Sequence, residues 1–175
     1  YPKPGNVHRT RDFEGTRFEH FLASAAALGV HFRLAALRGR SVAERLGEGV
    51  ELAIGERMSR AVEASLEWQH GGNTSLGVIL LLTPIAYAAG MVAPGSALRA
   101  QEIRRNLRRV VRETTPVDAM NTYRAISRAS PGGIGKVSEL DINDKNSMTE
   151  IRKRNLSLLD IFRISAEYDT ISWEW

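Results

Sequence analysis

A chain of 175 residues with 43% apolar and 25% charged side chains can bury one ordinary hydrophobic core, which excludes wholesale disorder and fits a single domain. The absence of cysteine excludes a disulfide framework, a thiol nucleophile and any thiolate metal site, and accords with a reducing, cytoplasmic setting. A net charge of +4 favours phosphates and other small anions but does not demand a nucleic acid.

The chain starts at Tyr1 with no cationic, apolar leader and stops abruptly at Trp175, so it reads as a domain lacking N- and C-terminal parts. Residues 1–11 hold Pro2, Pro4 and Gly5 with Lys3, Asn6, His8 and Arg9 among them, which predicts an ordered loop rich in donors. Phe18, Phe21, Leu22, Ala25 and Leu28 recur at helical spacing and predict a helix over 13–37, with Gly39 as its stop. Ser41 and Glu44 form a capping-box pattern that predicts a second helix, whose apolar side runs from Val42 through Leu46, Val50 and Met58 to Leu66.

A polar turn, 68–74, precedes a nearly uncharged run over 76–93. That run approaches the ~20 apolar residues of a membrane span. Gly77, Thr83, Pro84, Tyr87 and Gly90 interrupt it, and it stands alone, so it reads as the buried central helix of an all-helical core, kinked or divided at Pro84. Pro94 and Gly95 break the chain before a basic helix over 96–113, where Arg104, Arg108 and Arg112 share one stripe beside Arg105 and Arg109. Thr115, Pro116 and Asp118 predict the start of the next helix, which carries Met120, Tyr123, Ala125 and Ile126. A glycine-rich turn over 130–136 leads into an acidic loop with Glu139, Asp141 and Asp144. Ser147 and Glu150 then predict a last helix reaching the chain end. No strand alternation and no repeat appears. The expected fold is all-α, a single multi-helix globular domain over 1–175 around a buried central apolar helix.

Three loops carry the polar residues that can do chemistry. In the first, Lys3, Asn6, His8 and Arg9 suit phosphate oxygens, although composition alone favours a solvated entry segment. In the second, Gly72, Asn73 and Thr74 open onto a helix N-terminus whose free N–H groups favour an anion, although an ordinary helix cap has the same pattern. In the third, Gly133 and Lys136 precede Asp141 and Asp144, a lysine for phosphate with carboxylates for Mg²⁺, or else a glycine cap and an exposed acidic turn. His20 and His31 read as structural, and His8 and His70 lie in loops; the four show no metal-ligand spacing. The arginine stripe lacks interleaved aromatics, which argues against a nucleic-acid surface and for a solvated helix face.

Taken in order, the segments Lys3-Pro4-Gly5-Asn6-Val7 with Asp12-Phe13, Gly72-Asn73-Thr74 with Gly77, Ser130-Pro131-Gly132-Gly133-Ile134-Gly135 with Asp141, and Ala166-Glu167-Tyr168-Asp169-Thr170-Ile171 resemble a known family. It is that of the triphosphoribosyl-dephospho-coenzyme A synthases, and the likeness spans the whole chain. Family synthases typically read Asn-Thr-His-Lys-Gly where this chain reads Asn73-Thr74-Ser75-Leu76-Gly77, a variation that resembles the archaeal or one-carbon-metabolism branch. The resemblance implies an all-helical transferase that moves the 5-triphosphoribosyl group of ATP to the ribose 2′-hydroxyl of 3′-dephospho-coenzyme A and releases adenine. Lys3, Arg9 and Lys136 would then meet phosphates, with Asn6, His8, Gly72 and Gly133 beside them, and Asn73 and Thr74 would position the nucleotide. Asp141 and Asp169 would serve the reacting centre, and Asp141 with Asp144 or Asp169 would hold Mg²⁺. The alternatives are a non-catalytic nucleotide-binding module, a relative with another acceptor, and, more weakly, a nucleic-acid binder using the arginine stripe. No membrane partner is expected, and the apolar central helix is compatible with a homodimer.

Overall fold

The computed structural model describes residues 5–45, 48–132, 135, 137 and 139–175. Within them the order is α1 (Phe18–Glu44), α2 (Ile54–Glu67), α3 (Leu76–Gly90), α4 (Ala100–Arg112), α5 (Pro116–Ala129), α6 (Ser147–Arg154), α7 (Leu158–Ser165) and α8 (Thr170–Trp173). No strand occurs among the described residues. Two isolated bridges, His8 with Arg11 and Phe13 with Thr16, fold the leading segment into tight turns, so α1 begins at Phe18 rather than near residue 13. The protein is a single all-α domain.

Gly39 does not stop α1. The helix runs on through Ser41 to Glu44, and an Arg40–Glu44 pair at 2.8 Å braces its last turn. The glycine is there for packing, because a Cβ on Gly39 would overlap the Tyr87 carbonyl on α3. Gly90 on α3 answers it, since a Cβ there would overlap the Ala36 carbonyl on α1. Two glycines facing opposite helices let α1 and α3 approach backbone to backbone. Ser41 therefore lies inside α1, its carbonyl accepting from Arg45 N–H, and the second helix begins only at Ile54. Leu46 lies outside the described residues.

α3 is the central helix, packed by α1, α2, α4 and α8. It passes through Pro84 undivided. Proline removes one ladder donor, and the neighbouring Thr83 hydroxyl donates back to the Ile79 carbonyl at 2.6 Å. Tyr87, fully buried, donates its hydroxyl to the Leu52 carbonyl at 2.9 Å, so both polar side chains that α3 buries, Thr83 and Tyr87, are satisfied. The sequence reads this helix as wholly buried, but it is not: Val78, Leu82 and Ile85 form an exposed stripe along one side. By length and composition α1 is the described helix long and apolar enough to cross a membrane. One side of it packs on α2 and α3, and Leu22, Val30 and Leu37 are exposed on the other.

Thr115 caps α5 as predicted. Its hydroxyl accepts from Asp118 N–H, and the Asp118 carboxylate reaches back to Thr115 N–H at 2.9 Å. The same carboxylate also accepts from Gly55 N–H at 2.9 Å, capping α2 from a distance. The C-terminal region is three helices, not one. Asn155 turns left-handed at φ 53° and ends α6; Ser157 and Asp160 form a capping box for α7; Asp169 caps α8 through Ser172 N–H. Asn146, rather than Ser147, precedes the first turn of α6, and the Ser147 hydroxyl donates to the Asp141 carbonyl at 2.6 Å. Phe162 and Trp175 pack ring to ring at 4.6 Å and hold α8 to α7.

Candidate functional site

The turn before α3 is built to hold its shape. Gly72 sits at φ +75°, a conformation that other residues reach only with strain. The buried Gln69 amide donates to the Ser65 and Gly72 carbonyls at 3.2 and 2.9 Å, and its oxygen accepts from Gly71 N–H. Asn73 Oδ1 accepts from Leu76 N–H at 3.0 Å, fastening the turn to the helix start. The leading segment is pinned against this turn by the Thr16 hydroxyl, which donates to the Gly71 carbonyl at 2.7 Å. The His20 ring fills the space that a Gly71 side chain would take.

Asn73, Leu76 and Gly77 form one wall of a cavity of about 430 Å³. Pro131, Gly132, Gly135, Leu140 and Asp141 form a second wall, and Ser165, Tyr168, Asp169, Ile171 and Ser172 a third. Tyr123 and Phe162 also line it. Gly77 owes its place to α8, since a Cβ there would stand 3.2 Å from the Ile171 methyl. Three separate stretches of sequence thus meet at the N-terminal end of α3.

Both carboxylates in the cavity are held in place. Asp141 Oδ1 accepts from Asn143 N–H at 2.7 Å and Oδ2 from Val137 N–H at 3.1 Å. Asp169 Oδ2 accepts from Ser172 N–H at 2.9 Å and from the Ser172 hydroxyl, which itself bonds to Ser165 at 2.8 Å. Asp169 Oδ1 takes no hydrogen bond among the described residues. Tyr123 donates to the Leu140 carbonyl at 2.7 Å; burial raises its phenol pKa, helped by the neighbouring Tyr168 and Asp141. Partial burial also raises the Tyr168 phenol, followed by the charges of Asp169, Glu139 and Asp141. The cavity is thus mostly apolar with a negative field. Among the described residues no lysine or arginine lines it. Such a site stabilises a developing cation better than it holds a polyphosphate.

Of the residues expected to act, Asn73, Asp141 and Asp169 share this cavity. Thr74 is adjacent but directed elsewhere: its hydroxyl lies 2.6 Å from Ser24, which accepts from Ser65 at 3.0 Å in a hydroxyl chain joining α1 and α2 to the α3 turn. Asn6, His8 and Arg9 lie on the leading segment outside the cavity, with Arg9 stacked 5.9 Å over the Phe18 ring and His8 bonded to Thr10. Asp144 is exposed on the acidic loop, accepting from Asn146 N–H at 2.9 Å, and does not line the cavity. Lys3, Gly133 and Lys136 lie outside the described residues. The sequence reading missed Ser165 and Ser172, which hold Asp169, and took Tyr123 only as an apolar helix residue; Tyr168 stood in a quoted segment without a role.

Among the described residues, no three His, Asp or Glu side chains are placed to share a metal ion. Mg²⁺ on a nucleotide usually needs only one or two carboxylates beside the substrate phosphates. Asp141 and Asp169, on facing stretches of one cavity, fit that smaller demand, whereas the pairing of Asp141 with Asp144 is not assembled on the cavity wall.

An all-α domain whose glycine-bearing loops converge on a cavity with two anchored carboxylates is a helical small-molecule site. The chain belongs to the CitG family, ATP:dephospho-CoA triphosphoribosyl transferase, whose match covers residues 1–175, and this is a family of transferases. No curated protein and no solved structure matches it.

Proposed function

We propose that this chain transfers the 5-triphosphoribosyl group of ATP to the ribose 2′-hydroxyl of 3′-dephospho-coenzyme A, releasing adenine. The observation that carries this reading is the meeting of Asp141 and Asp169 in one cavity at the α3 turn, within a chain that belongs to the family throughout. In the reaction the bond from the ribose anomeric carbon to adenine N9 breaks, and a bond from that carbon to the acceptor 2′-oxygen forms. The anomeric carbon passes through an oxocarbenium-like state, which a nearby carboxylate stabilises. Asp141, fixed by two backbone N–H groups, supplies that negative charge without reorganising. Asp169 offers Oδ1 to the acceptor hydroxyl proton, while the departing adenine takes up one proton overall, so charge balances. Asn73 positions the nucleotide at the helix start. Mg²⁺, held by Asp141 beside the substrate phosphates, would neutralise the triphosphate and leave Asp169 Oδ1 to the proton.

The test is adenine release from ATP and Mg²⁺, followed by chromatography with and without dephospho-coenzyme A. Release that depends on the acceptor is expected. Asp141→Asn and Asp169→Asn should each slow it by about 10² or more, the scale of a lost acid–base or electrostatic contribution. At 169 asparagine keeps the one oxygen that both Ser172 donors use, so the fold should survive; at 141 it keeps one of the two oxygens that the loop N–H groups use, so an unchanged thermal midpoint is checked beside the activity of that variant. Full activity in both variants sinks the assignment. One observation favours a second reading, a binding module or a different acceptor: Leu76, where family synthases carry a lysine, is buried, and no described cation lines the cavity. Tight ATP binding with no adenine release would select it.

A further inference from the structure

We propose that the groove beside α8 is the acceptor's second subsite, holding its pyrophosphate and the apolar arm beyond it. The proposal rests on the transferase reading above and says where the acceptor lies. The groove has a volume of about 720 Å³ and runs between α3, α4, α7 and α8. That is within the range of small-molecule sites. Its wall includes Leu82 and Ile85, two of the residues left exposed along α3, together with Leu107, Val111, Leu159 and Trp175.

Charge on this groove is sorted. On α4, Arg105 lies 3.9 Å from Glu102, and Arg109 pairs with Glu113 at 2.7 Å. Arg108 and Arg112, which line the groove, have no carboxylate partner among the described residues. Arg163 lines it from α7, with only a loose contact of 3.8 Å to Asp160. One carboxylate, Glu174, lines the groove as well. Three guanidiniums against one carboxylate on a wall of apolar side chains suit a ligand that is anionic at one point and apolar along the rest.

Helix α8 joins this groove to the reaction cavity. Asp169 and Ser172 line the cavity, Thr170 and Glu174 line the groove, and Ile171 lines both. A ligand can therefore pass from one to the other over a single side chain. Dephospho-coenzyme A has the matching order: a ribose that must reach Asp141 and Asp169, then a pyrophosphate for the arginines, then a pantetheine arm for the apolar wall. ATP carries no such arm. The arginine stripe and the incompletely buried side of α3 thereby find one common use.

The test measures dephospho-coenzyme A binding by calorimetry, and turnover, in the unaltered chain, the double variant Arg108→Glu/Arg112→Glu, and Leu82→Trp. All three positions are exposed, so the fold should tolerate the changes. The double variant should bind dephospho-coenzyme A roughly tenfold or more weakly, and raise its KM alike, while ATP affinity stays within about twofold. Leu82→Trp should weaken dephospho-coenzyme A but not ADP, which lacks the arm. Unchanged dephospho-coenzyme A binding in both variants overturns the groove assignment and leaves the transferase reading intact. An unaltered chain that neither binds dephospho-coenzyme A nor releases adenine with it overturns both. Tighter binding of single-stranded RNA, lost in the double variant, would hand the stripe to nucleic acid and also overturn the proposal.

Discussion

One buried carboxylate, Asp118, fixes the junction of two helices. Its Oδ1 accepts from Gly55 N–H at 2.9 Å, and its Oδ2 accepts from Thr115 N–H at 2.9 Å and the Thr115 hydroxyl at 2.8 Å. Gly55 has no Cβ because the Asp118 backbone occupies that space. Asp118→Ala removes a cap, typically worth about 1 kcal/mol, and leaves the Gly55 N–H without its charged acceptor, a loss of about 1.5–3 kcal/mol. A total near 3 kcal/mol is expected as a lower urea midpoint with an unchanged slope. A loss below about 1 kcal/mol would mean that water replaces the carboxylate at both ends. The sequence shows half of this arrangement. Thr115-Pro116-x-Asp118 reads as a helix start because capping is local; Gly55 lies 63 residues away, and nothing local marks it as a partner. Thr74 has the same limit. Its place beside Asn73 is legible, but its bond to Ser24, 50 residues away, is not.

At the scale of elements, a glycine in an apolar pattern has two opposite meanings. Local reading takes Gly39 as a helix stop, yet the glycine ends nothing, because what decides its role is a second helix pressed against it. Gly39 and Gly90 have backbone where a Cβ would go, whereas Gly29, in the same α1, has open space. The three give a paired prediction. Alanine gains about 0.5–1 kcal/mol over glycine inside a helix, so Gly29→Ala should stabilise by that amount. Gly39→Ala and Gly90→Ala gain the same but must force α1 from α3, and overpacking costs about 1–3 kcal/mol or more when backbone is in the way. Both should lower the thermal midpoint while Gly29→Ala raises it. Equal effects at all three would show that α1 and α3 are not closely apposed. The C-terminal helices repeat the lesson. Ser147 and Glu150 mark one helix start and no proline or glycine follows to the chain end, so one long helix looks continuous, although Ser157-x-x-Asp160 and Asp169-x-x-Ser172 are the local start signals that divide it.

For the molecule as a whole, the balance of charge predicts a stability that falls toward acid in two stages. His31, half-buried on α1, has Nδ1 buried with no hydrogen-bond partner among the described residues and faces Arg57 and Arg60 of α2. Burial first, and then those two arginines, hold its folded pKa below the ordinary 6.5. The unfolded chain therefore binds the proton first as pH falls. The stability contribution is complete above about pH 6.5 and is lost as pH drops toward the lower folded value. Asp160 acts further down. The Ser157 hydroxyl depresses its pKa most, partial burial opposes that, and the Ser157 N–H and Arg163 assist, so it lies below the ordinary 3.8. Its contribution is present above that value and disappears as pH falls through the folded pKa. Protonating carboxylates also lifts the net charge above +4, which adds self-repulsion across the same acid range. Urea midpoints between pH 8 and 3 should begin to fall near pH 6.5, well above the carboxylate range, and steepen near pH 4. His31→Leu should flatten the first stage, leaving the second in place. If the slope between pH 6.5 and 5 survives that substitution, the neutral imidazole between α1 and α2 is not its source, and the loss must come from groups distributed over the surface.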